Sequence, residues 1–170
     1  MTVSVLDVPF RVVFGDGLSP EDVERIASSW AACHRPPTGE ERTVLADVLP
    51  STVDGEGVRV LAGSVAQLEE SLTSTLTVEA IGVRRGDLLM LHACGVADES
   101  GRVLAFVAAS GTGKTTMARL LGTRFGYVSD ETVGVGEGVI VSAAFAVSSR
   151  RSTGVAVAAP AIPAPPSTRR

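Results

Sequence analysis

"AASGTGKTT", residues 108–116, is the stretch on which the fold of this chain turns. It follows the phosphate-loop pattern G-x-x-x-x-G-K-[ST], with Ala108 standing at the first glycine position. Gly111 and Gly113 let the backbone wrap closely around phosphate oxygens, because no Cβ blocks the approach. The amides of Ser110, Gly111, Thr112, Gly113, Lys114 and Thr115 can then form an anion-binding nest, completed by Thr116 and the positive end of the following helix. Lys114 would reach the β- and γ-phosphates, and the Thr115 hydroxyl would offer itself to Mg²⁺. The chain has 14 arginines and one lysine, and that lysine stands where the pattern requires it, which weighs against chance. The competing possibility is a Gly-rich turn before an ordinary helix.

The flanks supply the context that such a loop needs. "DLLMLHACGVA" (87–97) and "RVLAFVAA" (102–109) are apolar runs around the turn residues "DESG", which predicts a β-hairpin leading into the loop. If Asp98 pairs with Gly101, His92 lies opposite Val107. A histidine there can donate to phosphate or orient a substrate; in an apolar strand it can equally be a satisfied core residue. "KTTMARLLGTRF" (114–125) predicts a helix with Met117, Leu120 and Leu121 facing inward and a weak point at Gly122. "YVSDETVGV" predicts a strand with acids at its end. Asp130 and Glu131 follow Lys114 by 16 and 17 residues. One carboxylate there suits Mg²⁺ binding and another suits accepting a proton from an attacking hydroxyl. A solvated acidic pair is the alternative.

Upstream, "VSVLDVPFRVVF" (3–14) predicts one strand or a bent pair, and Ser19 with Pro20 opens a helix with Val23, Ile26 and Trp30 on one stripe. "RTVLADVL" and "VRVLAG" predict strands. Residues 64–84 hold Val65, Leu68, Leu72, Leu76, Ala80 and Ile81 at near-helical spacing, which predicts a helix packed on the sheet.

The chain has 170 residues, enough for one domain with a core, and its net charge of −4 implies no basic surface for nucleic acid or anionic lipid. Residues 1–140 hold 11 bases against 19 acids, whereas the last 30 residues hold four bases and no acid. We therefore expect a nucleotide-binding α/β body over 1–140, with an N-terminal part (1–85) and a phosphate-loop core (86–140). Beyond it, 141–170 is a low-complexity tail rich in Ala, Ser and Pro, expected to be disordered, although "VIVSAAFAV" could add one edge strand. Cys33 and Cys94 lack disulfide-framework or metal spacing and suit a reducing cytoplasm. No signal peptide or membrane span is expected.

With these residues in view, "LLMLHACGVADESGRVLAFVAASGTGKTT" followed by "GYVSDETV" resembles the C-terminal catalytic domain of HPr kinase/phosphorylase, in the phosphoenolpyruvate carboxykinase-like group of phosphate-loop proteins, and more closely its small actinobacterial ATP-binding relatives. The resemblance spans about 86–136. It implies an HPr kinase-like mixed sheet, ATP at Ser110 to Thr116, Mg²⁺ at Thr115 and Asp130, and catalytic roles for His92, Lys114 and a base at Glu131 or Asp130. It further implies phosphoryl transfer to a protein or peptide hydroxyl. The family pattern continues with another metal-binding glutamate and, in the small relatives, a "PKPLS"-like segment. Neither follows here, since Glu137 is the last acid, and the tail reads as a shifted reading frame or truncated gene. Two alternatives stand beside this expectation: a relative that binds nucleotide without catalysis, and a small-molecule phosphate-loop kinase with a wholly parallel sheet.

Overall fold

The computed structural model describes residues 1–33, 39–136, 139–142 and 155–158. Two sheets build it. The first has the order β1-β2-β3-β4, formed by Thr2–Val5, Val8–Phe14, Arg42–Val48 and Val58–Ala62. β1 and β2 are antiparallel, while β2, β3 and β4 run parallel. The apolar run 3–14 is thus a pair of strands. Leu6 and Asp7, with φ of 51° and 59°, make a two-residue turn whose left-handed backbone matches strand twist.

Helix α1 (Pro20–Ser29) opens as its sequence requires. The Ser19 hydroxyl accepts from the Asp22 amide at 3.1 Å and Pro20 occupies the first turn, where its missing N–H costs nothing. The helix ends earlier than its apolar stripe. Trp30 is its C-cap and Ala31–Cys33 continues as a 3-10 turn, with Ile26 and Trp30 buried. Ser19→Ala is expected to cost about 1 kcal/mol of stability, the usual worth of a side-chain cap, read from the urea midpoint. An unchanged midpoint would show the cap to be replaced by water.

Helix α2 (Val65–Val83) lies against this sheet. Leu68, Leu72, Leu76 and Ala80 are fully buried on one stripe, joined in the core by Phe10, Val12, Val44 and Val60. Burying each leucine contributes about 1.5–3 kcal/mol, so packing, rather than the propensity of its five threonine and serine positions within 71–77, holds this helix.

The second sheet has the order β10-β6-β5-β8-β9, with β7 also on β5. Its strands are β5 (Leu89–Ala97), β6 (Val103–Val107), β7 (Gly126–Ser129), β8 (Thr132–Gly136), β9 (Val139–Ser142) and β10 (Val155–Ala158). β5 and β6 form the expected hairpin, but its register differs by one residue. Ala97 pairs with Val103 and Ala93 with Val107, so His92 falls one step beyond the last pair rather than opposite Val107. The turn explains the shift. Asp98 closes a three-residue loop, its amide donating to Arg102 O at 2.9 Å, and Gly101 takes the left-handed backbone (φ 83°). The Asp98 carboxyl accepts from the Ser100 hydroxyl and from the Arg102 amide and Nε. The Ser100 hydrogen bond, foremost, holds that carboxyl down at a pKa of about 2.

"YVSDETVGV" is likewise two strands. β7 pairs with the upper half of β5 and β8 with its lower half, and Asp130 and Glu131 sit at the break between them. β9 supplies the edge strand anticipated in "VIVSAAFAV". Apart from 141–142 and β10, which pairs parallel with β6, the tail expected to be disordered lies outside the described residues. The architecture is α/β with one mixed four-stranded sheet and a second sheet that is antiparallel apart from its β10–β6 pair. No helix of the described residues is long and apolar enough to cross a membrane.

Candidate functional site

β6 ends at Val107 and helix α3 (Lys114–Leu121) begins seven residues later. The connecting loop owes its shape to two glycines. Gly111 and Gly113 have φ of 77° and 91°, a backbone that a Cβ disfavours, and Gly113 is the helix N-cap without any side-chain cap. Ala108 is not among the positive-φ residues, so alanine is accommodated where the phosphate-loop pattern has its first glycine.

Among the described residues, the amides of Ser110, Gly111, Gly113, Lys114, Thr115 and Thr116 donate to no protein acceptor, while 110–111 form a turn from Ala109 to Thr112; the first helical bond is Met117 N to Gly113 O at 2.9 Å. This row of unpaired donors lies at the positive end of a helix dipole. The Thr112 hydroxyl donates to Ala109 O at 2.7 Å and folds the loop back on itself. Lys114 is 8% exposed, and its ammonium donates to Ala108 O (2.8 Å) and Ala109 O (3.0 Å). A buried ammonium needs such partners. Here the partners are carbonyls of the loop itself, which an anion could replace.

Helix α3 turns its small side to the sheet. Lys114 and Ala118 are buried, while Met117 is 41% and Leu120 68% exposed, so those two do not face inward as their spacing suggested. The buried stripe runs through Lys114, Ala118 and half-buried Leu121 at helical spacing, which sets Met117 at its margin and turns Leu120 to the other side of the helix. The helix also stops at Leu121 rather than running to Phe125.

β5 forms the floor. His92 and Cys94 are two residues apart on it and share a face. Cys94 is fully buried, and burial pushes its thiol pKa up; the Lys114 ammonium works in the opposite direction and the Asp130 carboxyl adds to the rise. Cys94 therefore lies within the fields of both charged groups and links the loop to the acid pair. His92 is exposed, pairs with Thr132 on β8, and sits level with the loop's first residue and the acid turn. It is accordingly no core histidine.

The acid turn is pinned by Ser129, whose buried hydroxyl oxygen accepts from Glu131 N (3.3 Å) and Thr132 N (3.1 Å). The Glu131 carbonyl accepts from Ala93 N at 3.0 Å, holding the turn on β5. Asp130 is partly buried and its Oδ1 accepts from the Tyr127 hydroxyl at 2.6 Å; Glu131 is exposed. Burial, and then this bond, raise the Tyr127 pKa well above its ordinary value. Tyr127 and Cys94 belong to the site although no motif marks them. Their only signal in the sequence is position: one lies three residues before Asp130, the other two after His92.

The donor set suits a hard divalent ion. Thr115 and Asp130 offer oxygens, and magnesium bound with a nucleotide commonly takes only one or two protein oxygens. Among the described residues no three His, Cys, Asp or Glu side chains gather to hold a metal, at this site or another. No protein-family model matches the chain, and no curated protein does.

Proposed function

We propose that the chain binds ATP with Mg²⁺ at residues 110–116 and transfers the γ-phosphoryl group to a protein or peptide hydroxyl, in the manner of the HPr-kinase-like proteins. The observation that carries this reading is, among the described residues, a run of amides from Ser110 to Thr116 without a protein acceptor, Thr112 in its turn excepted, beside a buried lysine that bonds only to carbonyls of the same loop. The antiparallel hairpin feeding the loop and the mixed sheets favour this reading over a small-molecule kinase with a wholly parallel sheet.

Thr115 and Asp130 would hold the Mg²⁺, which neutralises phosphate charge when bound. Lys114 would shift from the Ala108 and Ala109 carbonyls to the phosphates and stabilise the charge that develops during transfer. In the reaction the acceptor oxygen bonds to the γ-phosphorus, the bond to the β–γ bridging oxygen breaks, ADP leaves, and the acceptor's proton passes to a carboxylate. Glu131, exposed and next to the pinned Asp130, is the better placed base; His92, exposed across the strand pair, would orient the acceptor or donate to phosphate.

The test is ATP turnover with and without candidate peptides. Glu131→Gln is expected to lower turnover about 100-fold, within the ordinary range for a general base, with ATP affinity retained. Equal turnover in both proteins removes Glu131 as the base. A second reading is nucleotide binding without transfer. Tight ATP binding without ADP release by the unmodified chain would select it.

A further inference from the structure

We propose that Tyr127 is a positioning residue for Asp130: its hydroxyl holds one carboxyl oxygen and leaves the other turned to a divalent cation. The inference rests on the reading of Asp130 as a metal ligand beside the phosphate loop.

The geometry is that of a ligand held from behind. The Tyr127 hydroxyl donates to Asp130 Oδ1 at 2.6 Å, a short bond of the charge-assisted kind. Among the described residues Oδ2 has no hydrogen bond. The phenol is itself fixed. Tyr127 is paired with Val96 on β5, is half-buried, and has its Cβ close to Gly122 at the end of α3. The backbone of the acid turn is fixed independently by Ser129 and by the Ala93 amide. Both ends of the Asp130 side chain are therefore set before any ligand arrives. Glu131, one residue on, is exposed and, among the described residues, has only its backbone held. The two neighbouring acids thus differ in freedom: one carboxyl is oriented, the other can move. A metal ligand gains from orientation by an outer partner, whereas a base that meets a variable acceptor does not need it.

The experiment uses the full-length chain with Mn²⁺ as the probe, its free concentration followed by electron paramagnetic resonance in the presence of ATP. Metal-free ATP affinity is measured in parallel in EDTA. Tyr127→Phe keeps the ring and removes the hydroxyl. It is expected to weaken Mn²⁺ binding about 10-fold, the lower end for loss of an outer-shell partner, with metal-free ATP affinity unchanged. Asp130→Asn is expected to weaken Mn²⁺ at least as much, and adding Tyr127→Phe to it should cost nothing further. Wild-type Mn²⁺ affinity in Tyr127→Phe, together with a loss in Asp130→Asn, overturns the role of Tyr127 and leaves Asp130 as a ligand. An equal loss of metal-free ATP affinity in Tyr127→Phe shows a merely structural role and also overturns it. Unchanged Mn²⁺ affinity in Asp130→Asn removes the metal role of Asp130 and this inference with it. A wild-type chain that binds no ATP removes the phosphate-loop reading itself. If Tyr127→Phe fails to fold, a further loss on adding Tyr127→Trp to Asp130→Asn decides against positioning.

Discussion

Lys114→Ala is expected to weaken ATP binding by about 10- to 100-fold, as loss of charged hydrogen bonds worth about 1.5–3 kcal/mol requires. The chain's sole lysine is 8% exposed, and among the described residues its ammonium bonds to no carboxylate. A buried cation bonded only to neutral carbonyls is incompletely compensated, so a polyphosphate is a better partner than the one it has. Isothermal titration with ATP checks the outcome. Removal of the ammonium also frees the Ala108 and Ala109 carbonyls, which can loosen the loop, so the urea midpoint is measured beside it. Unchanged ATP affinity in a folded Lys114→Ala protein would defeat every nucleotide reading of this chain together.

The second large effect lies far from that loop. Asp47→Ala is expected to destabilise the fold by about 3 kcal/mol, roughly 1 kcal/mol for each of three lost bonds. Asp47 is completely buried at the end of β3. Its Oδ1 accepts from the Gly17 amide (3.1 Å) and the Val48 amide (2.8 Å), and its Oδ2 from the Ser51 hydroxyl (2.7 Å). One side chain thus ties the loop entering α1 to the loop leaving β3. The glycines around it follow from that role, since a Cβ on Gly15 or Gly17 would collide with the carboxyl group. Asp47→Asn should lose less than half as much, because its oxygen still meets the two amides and its NH₂ can donate to Ser51. Urea unfolding measures both variants. A wild-type midpoint for Asp47→Ala would mean that water satisfies the three donors and the tie carries no stability.

Local chemistry wrote much of this protein into its sequence. Ser19 and Pro20 mark the start of α1, and the Leu68, Leu72, Leu76 and Ala80 spacing marks α2, because capping and helical period depend on neighbours a few residues apart. The loop at 108–116 was legible for the same reason: its glycines dictate their own backbone and its lysine its own chemistry. The hairpin was legible, but not its register. Whether Gly101 adopts the left-handed backbone decides between a two- and a three-residue turn, and that choice moved His92 beyond Val107. What only the tertiary structure decided depends on approach between distant segments. Leu120 points outward because α3 lays its Lys114–Ala118 face on the sheet, a choice of face that periodicity alone left open. Asp47 reads as one acid in an apolar strand until two loops close on it. Cys94 and Tyr127 enter the site only because β5, α3 and β7 converge there, bringing an ammonium and a carboxyl into the field of one thiol. Short-range steric and hydrogen-bond preferences act along the chain and can be read from it; the fields and clearances that assign charges their partners act across space and exist only once the strands have paired.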